Sequence, residues 1–181
     1  MRKLAFAAVV LAAPLAFAQP KPPEMDPKNP ISSSLKGNFE RVKKFIIGAA
    51  DEMPAADYGF KPSPEVRSFG QLIGHIADAS YMFCGAAKKE TKAPAKESIE
   101  KTATTKDALK KALADAFAYC DAVYAASKDA ALLTPISLFG NDKMLKFQAL
   151  DINVAHDNEH YGNIVTYLRI KKLVPPSSSG M

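Results

Sequence analysis

Asn153-Val154-Ala155-His156-Asp157-Asn158-Glu159-His160-Tyr161-Gly162-Asn163 is the stretch around which this chain is organised, at the centre of a periodic segment from Leu145 to Ile170. The chain has three histidines, and two of them stand here, four residues apart. On a helix, positions i and i+4 share a face with Cβ atoms about 5–6 Å apart, close enough for both imidazoles to hold one metal ion. The third histidine, His75, lies in another helical stretch. A compact fold that brings it opposite His156 and His160 makes a three-nitrogen site with an open position.

Outward from that stretch, the spacing predicts a helix four from about Lys143 to Lys172, with Leu145, Ala149, Ile152, His156, His160, Asn163, Tyr167 and Ile170 along one row. Pro175-Pro176 stops it. Before it, Pro135 and Gly140-Asn141-Asp142 turn the chain, and no strand is expected. Helix three, about 105–127, repeats Leu109, Leu113, Ala116, Cys120 and Val123. Between Ala87 and Lys111, lysines alternate with Glu90, Glu97, Glu100 and Asp107, the pattern of a solvated surface. Helix two opens at the capping box Ser68-Phe69-Gly70-Gln71. It carries Leu72, His75, Ala79, Met82 and Ala86 on a core row, widened by Phe69, Ile73, Ile76 and Phe83.

Met53 to Arg67, with Pro54, Gly59, Pro62 and Pro64, is a connection in which Tyr58 and Phe60 are expected to fold back on the helices. Helix one, about 33–51, follows caps at Ser32 to Ser34 and repeats Leu35, Phe39, Val42, Ile46 and Ala49. Four such amphipathic helices predict an all-α protein, a four-helix bundle. The long connections leave the helix order open, and depth along the bundle decides it. A disulfide between Cys84 and Cys120 requires helices two and three to run parallel, and His75 meets His156 and His160 only if helix four opposes helix two. Together these give an up-down-down-up order.

The first residues read differently. Arg2 and Lys3, an apolar run from Leu4 to Phe17 and the small-x-small Ala16-Phe17-Ala18 form a signal peptide, residues 1–18, cleaved after Ala18. The run falls short of the ~20 residues that cross a bilayer, so no stable membrane association is expected after cleavage. Cleavage takes two cations and no acid, and lowers the net charge from +5 to +3, too little to suggest a nucleic-acid partner. Residues 19–31 read as a disordered arm, 32–176 as the helical domain and 177–181 as a disordered tail. Export to the periplasm or the exterior also makes Cys84 and Cys120 better candidates for a bridge than for free thiols.

Three buried imidazoles without a metal would leave nitrogens unpartnered at a high cost, so the metal reading is the cheaper one. The site residues are accordingly His75, His156 and His160. Zinc suits them best, with nickel, iron and manganese as alternatives. Asp78, Asp157, Glu159 and Asn163 are candidates to hold the outer imidazole nitrogens. No residue is assigned as a catalytic acid or base.

The stretches Ser68-Phe69-Gly70-Gln71-Leu72-Ile73-Gly74-His75-Ile76-Ala77-Asp78, Leu138-Phe139-Gly140 and His156-Asp157-Asn158-Glu159-His160-Tyr161-Gly162-Asn163 resemble the DinB-like family of metal-dependent helical bundles. So do Tyr167-Leu168-Arg169 and Val174-Pro175-Pro176. The resemblance covers roughly residues 33–176. It implies a four-helix bundle with a divalent metal on His75, His156 and His160, and dimerisation through bundle faces as a family habit. It also implies chemistry like that of relatives which transfer or isomerise low-molecular-weight thiols. Export departs from that pattern, because such thiols are concentrated in the cytosol. The expected function is therefore an exported metal-binding bundle acting on an unidentified small molecule, an enzyme that activates water or a thiol for transfer or hydrolysis. The alternative is a bundle whose metal serves binding or stability.

Overall fold

A computed structural model describes residues 25–90 and 97–179. The expected signal peptide and residues 19–24 of the expected N-terminal arm lie outside these residues. Four long helices dominate: α1 (Pro30–Glu52), α2 (Phe69–Ala87), α4 (Lys106–Ala126) and α6 (Lys146–Ile170). Two four-residue helices, α3 (Ile99–Thr102) and α5 (Asp129–Leu132), and an antiparallel ribbon of β1 (Pro135–Leu138) and β2 (Asn141–Leu145) complete the regular structure. Among the described residues no helix is long and apolar enough to cross a membrane.

The local signals explain where the helices start. At Ser68 the predicted capping box is formed: its Oγ accepts from the Gln71 N–H at 3.2 Å, and the Gln71 side-chain Oε1 accepts from the Ser68 N–H at 2.8 Å. Thr105 caps α4 through Ala108. Helix α1 begins earlier than the serines predicted, with Pro30 in the first turn, where a missing N–H costs nothing. Its capping group comes from far along the chain. The Asp129 carboxylate accepts from the N–H groups of Ile31 and Ser32 and from the Ser32 hydroxyl, at 2.8–3.1 Å.

Three expectations are corrected. The segment 135–145 is a hairpin, with Phe139 and Gly140 both at positive φ in its two-residue turn, the backbone that such tight hairpins require. Only Ile136 and Leu138 of β1 are buried, too short an alternation to read from sequence, and α6 consequently starts at Lys146. Helix α3 lies in what reads as solvated linker. At the C-terminus, Ser177 is tied to Tyr161, its hydroxyl accepting from Tyr161 Oη and its N–H donating to the same atom at 2.9 Å, where composition predicts a free tail.

The four long helices share one core. Helix α2 packs on α4 and α6, and α1 packs on the same two. Phe39 stacks on Tyr124 at 4.4 Å between ring centres and meets Phe117 edge-on, while the Tyr124 hydroxyl donates to the Leu150 carbonyl. Lys43 pairs with Asp121 and Lys110 with Asp51. Cys84 of α2 and Cys120 of α4 form a disulfide with Cα atoms 5.5 Å apart. Tyr58 does fold back, fully covered, with its hydroxyl on the Ala50 carbonyl at 2.6 Å, and Phe60 lies edge-on to Tyr167.

The buried stripes are rotated from those read in the sequence. On α2 the core row runs through Phe69, Ile73, Ile76, Ser80, Phe83 and Cys84, and Met82 is 39% exposed. His75 therefore stands at the edge of the core. On α6 the fully buried positions include Asn153 and Asp157, while Ile170 is half exposed.

Candidate metal centre

This edge placement puts the three imidazoles together where the core meets solvent. His75 comes from α2, and His156 and His160 come from successive turns of α6. Their Nε2 atoms converge: that of His156 lies 3.1 Å from His75 and 3.0 Å from His160. One nitrogen from each ring falls within 4.8 Å of the others. His160 is buried, and the side chains of His75 and His156 are 25% and 17% exposed.

Proton counting tests whether a metal suits this cluster. Each neutral imidazole has one N–H and one lone pair. Two close N···N contacts share the single Nε2 of His156, so one hydrogen must serve both, one lone pair must take two donors, or one contact is left without a hydrogen. Three lone pairs aimed at one point are what a tetrahedral ion accepts, and metal–nitrogen bonds of about 2.0–2.1 Å would place the nitrogens about 3.3 Å apart. The residues fit the group.

The outer nitrogens are held unequally. His75 Nδ1 lies 3.3 Å from Glu100 Oε2. His160 Nδ1 lies 3.4 Å from the Asn163 amide, whose oxygen can be turned toward it. His156 Nδ1 has no hydrogen-bond partner among the described residues, and it faces the equally unpartnered Asp157 Oδ1 at 4.0 Å. Burial pushes the Asp157 carboxyl up to about 6, against the opposing pull of His156. Burial also holds His160 down at about 4, with His156, His75 and Arg67 adding to the effect, and it lowers His75 in the same way. Neutral imidazoles are the ligand form.

Of the outer candidates named from sequence, Asn163 and Asp157 stand beside the imidazoles. Asp78 does not, since its carboxylate is taken up by Ser98, Ile99 and Glu100. Glu159 lines a cavity of about 770 Å³ that His160 also walls, together with Arg67, Glu100, Asn163 and Tyr167. A second cavity of about 820 Å³, lined by Tyr58, Gln71, Lys101 and Leu109 among others, contains no histidine. Glu100 is the residue that sequence reasoning missed. Its one local signal is Ser98, a helix-capping residue two positions before it, and nothing nearby announces a partner 25 residues away.

A mostly helical protein with three converging imidazoles on two of its long helices, beside an open cavity, defines a class of helical proteins equipped to hold a metal ion. The family model of the DinB superfamily matches residues 38–164. The chain belongs to the DinB superfamily. Among solved structures it is similar to a DinB-like protein from Bacillus cereus ATCC 10987, with 17% identity, a TM-score of 0.65 and coverage of 78% of this chain and 95% of that one. A conserved protein from Enterococcus faecalis aligns with 15% identity, a TM-score of 0.63 and coverage of 77% and 95%. These likenesses concern the fold. A search of curated proteins returns no match.

Proposed function

We propose that this protein is an exported metalloenzyme, a four-helix bundle that holds one divalent ion, zinc in preference to nickel, iron or manganese, on His75, His156 and His160. The observation that carries the reading is the convergence of three Nε2 atoms beside a cavity of about 770 Å³. The cavity favours a site open to a small molecule over one closed for stability.

A divalent ion there supplies a Lewis acid that lowers the pKa of a coordinated water or thiol, as transfer or hydrolysis requires. The chain's own groups prepare for it. Glu100 stands at the outer nitrogen of His75 and biases it toward presenting its Nε2 lone pair, and the Asn163 amide, turned oxygen-first, can do the same for His160. The positive charge of Arg67, next to the cluster, disfavours imidazolium at both residues. The Glu159 carboxylate, on the same helix as His156 and His160, lines the cavity that His160 walls.

The bundle order in this reading is up-down-down-up. It is supported by Lys43–Asp121 and Lys110–Asp51 between α1 and α4, which join early to late positions. It is supported also by Cys84–Cys120 between α2 and α4, and by Tyr167 donating to the Arg67 carbonyl where α6 ends beside the start of α2. Export, with cleavage after Ala18, rests on the N-terminal pattern and agrees with a disulfide at Cys84 and Cys120. A small molecule is the partner proposed, and a homodimer through a bundle face the proposed assembly.

Elemental analysis of the purified mature protein tests the reading. One equivalent of a transition metal is expected in the wild type and none in His75→Ala or His156→Ala. A folded wild type that takes up no zinc, nickel, iron or manganese would overturn it. A loaded protein then goes to assays of thiol transfer and of hydrolysis.

A further inference from the structure

We infer that α3 is a clip that delivers Glu100 to His75, and that Glu100 is a positioning residue that keeps the His75 proton on Nδ1 and its Nε2 lone pair facing the other two imidazoles. The consequence for metal binding rests on the reading above. The position of the proton rests on geometry alone.

The seat for α3 is built around His75 itself. On its N-terminal side is Gly74, where an added Cβ would come within 2.7 Å of Glu100 Cα, 2.9 Å of Glu100 N and 3.2 Å of the Ile99 carbonyl carbon. All three are backbone atoms, so α3 lies directly on α2 at a point where any side chain would lift it off. One turn further along α2 is Asp78. Its carboxylate accepts from Ser98 Oγ and the Ile99 N–H at 2.8 Å and from the Glu100 N–H at 3.0 Å. Three donors on one carboxylate fix both the position and the rotation of a helix only four residues long. Glycine before His75 and aspartate after it thus make a seat that turns one side chain of α3, Glu100, back over the imidazole.

Both oxygens of that side chain are used. Oε2 lies 3.3 Å from His75 Nδ1, and Oε1 accepts from Arg67 Nε at 2.9 Å. Arg67 is anchored in turn, because its carbonyl accepts from the Tyr167 hydroxyl of α6 at 2.6 Å. Which imidazole nitrogen carries the proton is set by the hydrogen bond made at the other. A carboxylate at Nδ1 selects Nδ1–H, whereas the opposite tautomer would set a bare Nδ1 lone pair against Glu100 Oε2 at 3.3 Å and spend the Nε2 hydrogen on His156 Nε2, 3.1 Å away.

Imidazole ¹⁵N shifts of the metal-free protein, measured for wild type, Glu100→Gln, Glu100→Ala and Asp78→Ala, test the inference. Wild-type His75 is expected as the Nδ1–H tautomer. Glu100→Gln retains it, because the amide oxygen still accepts. Glu100→Ala and Asp78→Ala move His75 toward Nε2–H although neither removes an imidazole. Cobalt(II) titration read by its visible spectrum should show affinity about 10–100-fold lower in Glu100→Ala, partly restored in Glu100→Gln. An unchanged His75 tautomer in folded Glu100→Ala overturns the positioning role, as does wild-type cobalt affinity and spectrum in that variant. A tautomer that follows Glu100 in a protein that binds no cobalt sustains the clip and overturns the metal reading instead.

Discussion

At the scale of single residues, two buried groups of the histidine cluster pull stability in opposite directions as pH changes. In the metal-free protein His160 accepts its proton only near pH 4, whereas the unfolded chain accepts it near about 6.5. Its contribution is therefore fully present above about 6.5 and is lost as pH falls toward 4. Asp157 has the reverse sign. Its carboxyl titrates near 6 in the folded protein, against about 3.9 unfolded, so it favours the fold in acid and loses that contribution as pH rises through this window. Between about pH 4 and 6 the two largely offset one another. Replacing Asp157 with Asn removes one side of the balance, and melting temperature followed by circular dichroism should then fall more steeply from pH 6 to pH 4 than in wild type. Parallel slopes for the two proteins would show that Asp157 stays ionised in the fold.

Among the elements, the helices rest on local signals and the clips between them on distant ones. Ser68 and Gln71 start α2 by themselves, but α1 is capped by Asp129, about a hundred residues along the chain. The link between α2 and α4 is covalent, and Cys84 and Cys120 are both fully buried. Closing a loop across a separation of 36 residues should stabilise the fold by about 2–4 kcal/mol through the unfolded chain. The double variant Cys84→Ala/Cys120→Ala, chosen because alanine buries no polar atom, is expected to lose that amount in urea unfolding. A loss below about 1 kcal/mol would mean that packing alone sets the register of α2 against α4.

For the whole molecule, the proposed metal centre takes ligands from two of the four long helices, so occupancy should report on global stability. Metal at a hundred times its Kd is expected to raise wild-type stability by about 2.7 kcal/mol, and to leave His75→Ala unchanged. Thermal scans with and without zinc measure both, and an equal rise in the two proteins would place the ion elsewhere. Much of this molecule was legible beforehand. The long helices, the Ser68 box and the three histidines are written in local spacing, because helix formation and capping act within one or two turns. The i, i+4 placement of His156 and His160 puts them on one face wherever that helix packs. Tertiary structure decided the rest. A modest rotation of α2 and α6 took Met82 and Ile170 out of the core and put Asp157 into it, since periodicity defines a stripe more loosely than packing does. Glu100 reads as one more surface charge until Gly74 and Asp78 seat α3 on α2. The sequence by itself determined which helices form and which nitrogens are available. Only the fold decided that Glu100 stands behind His75, because that contact depends on two segments distant in the chain meeting within a few ångströms.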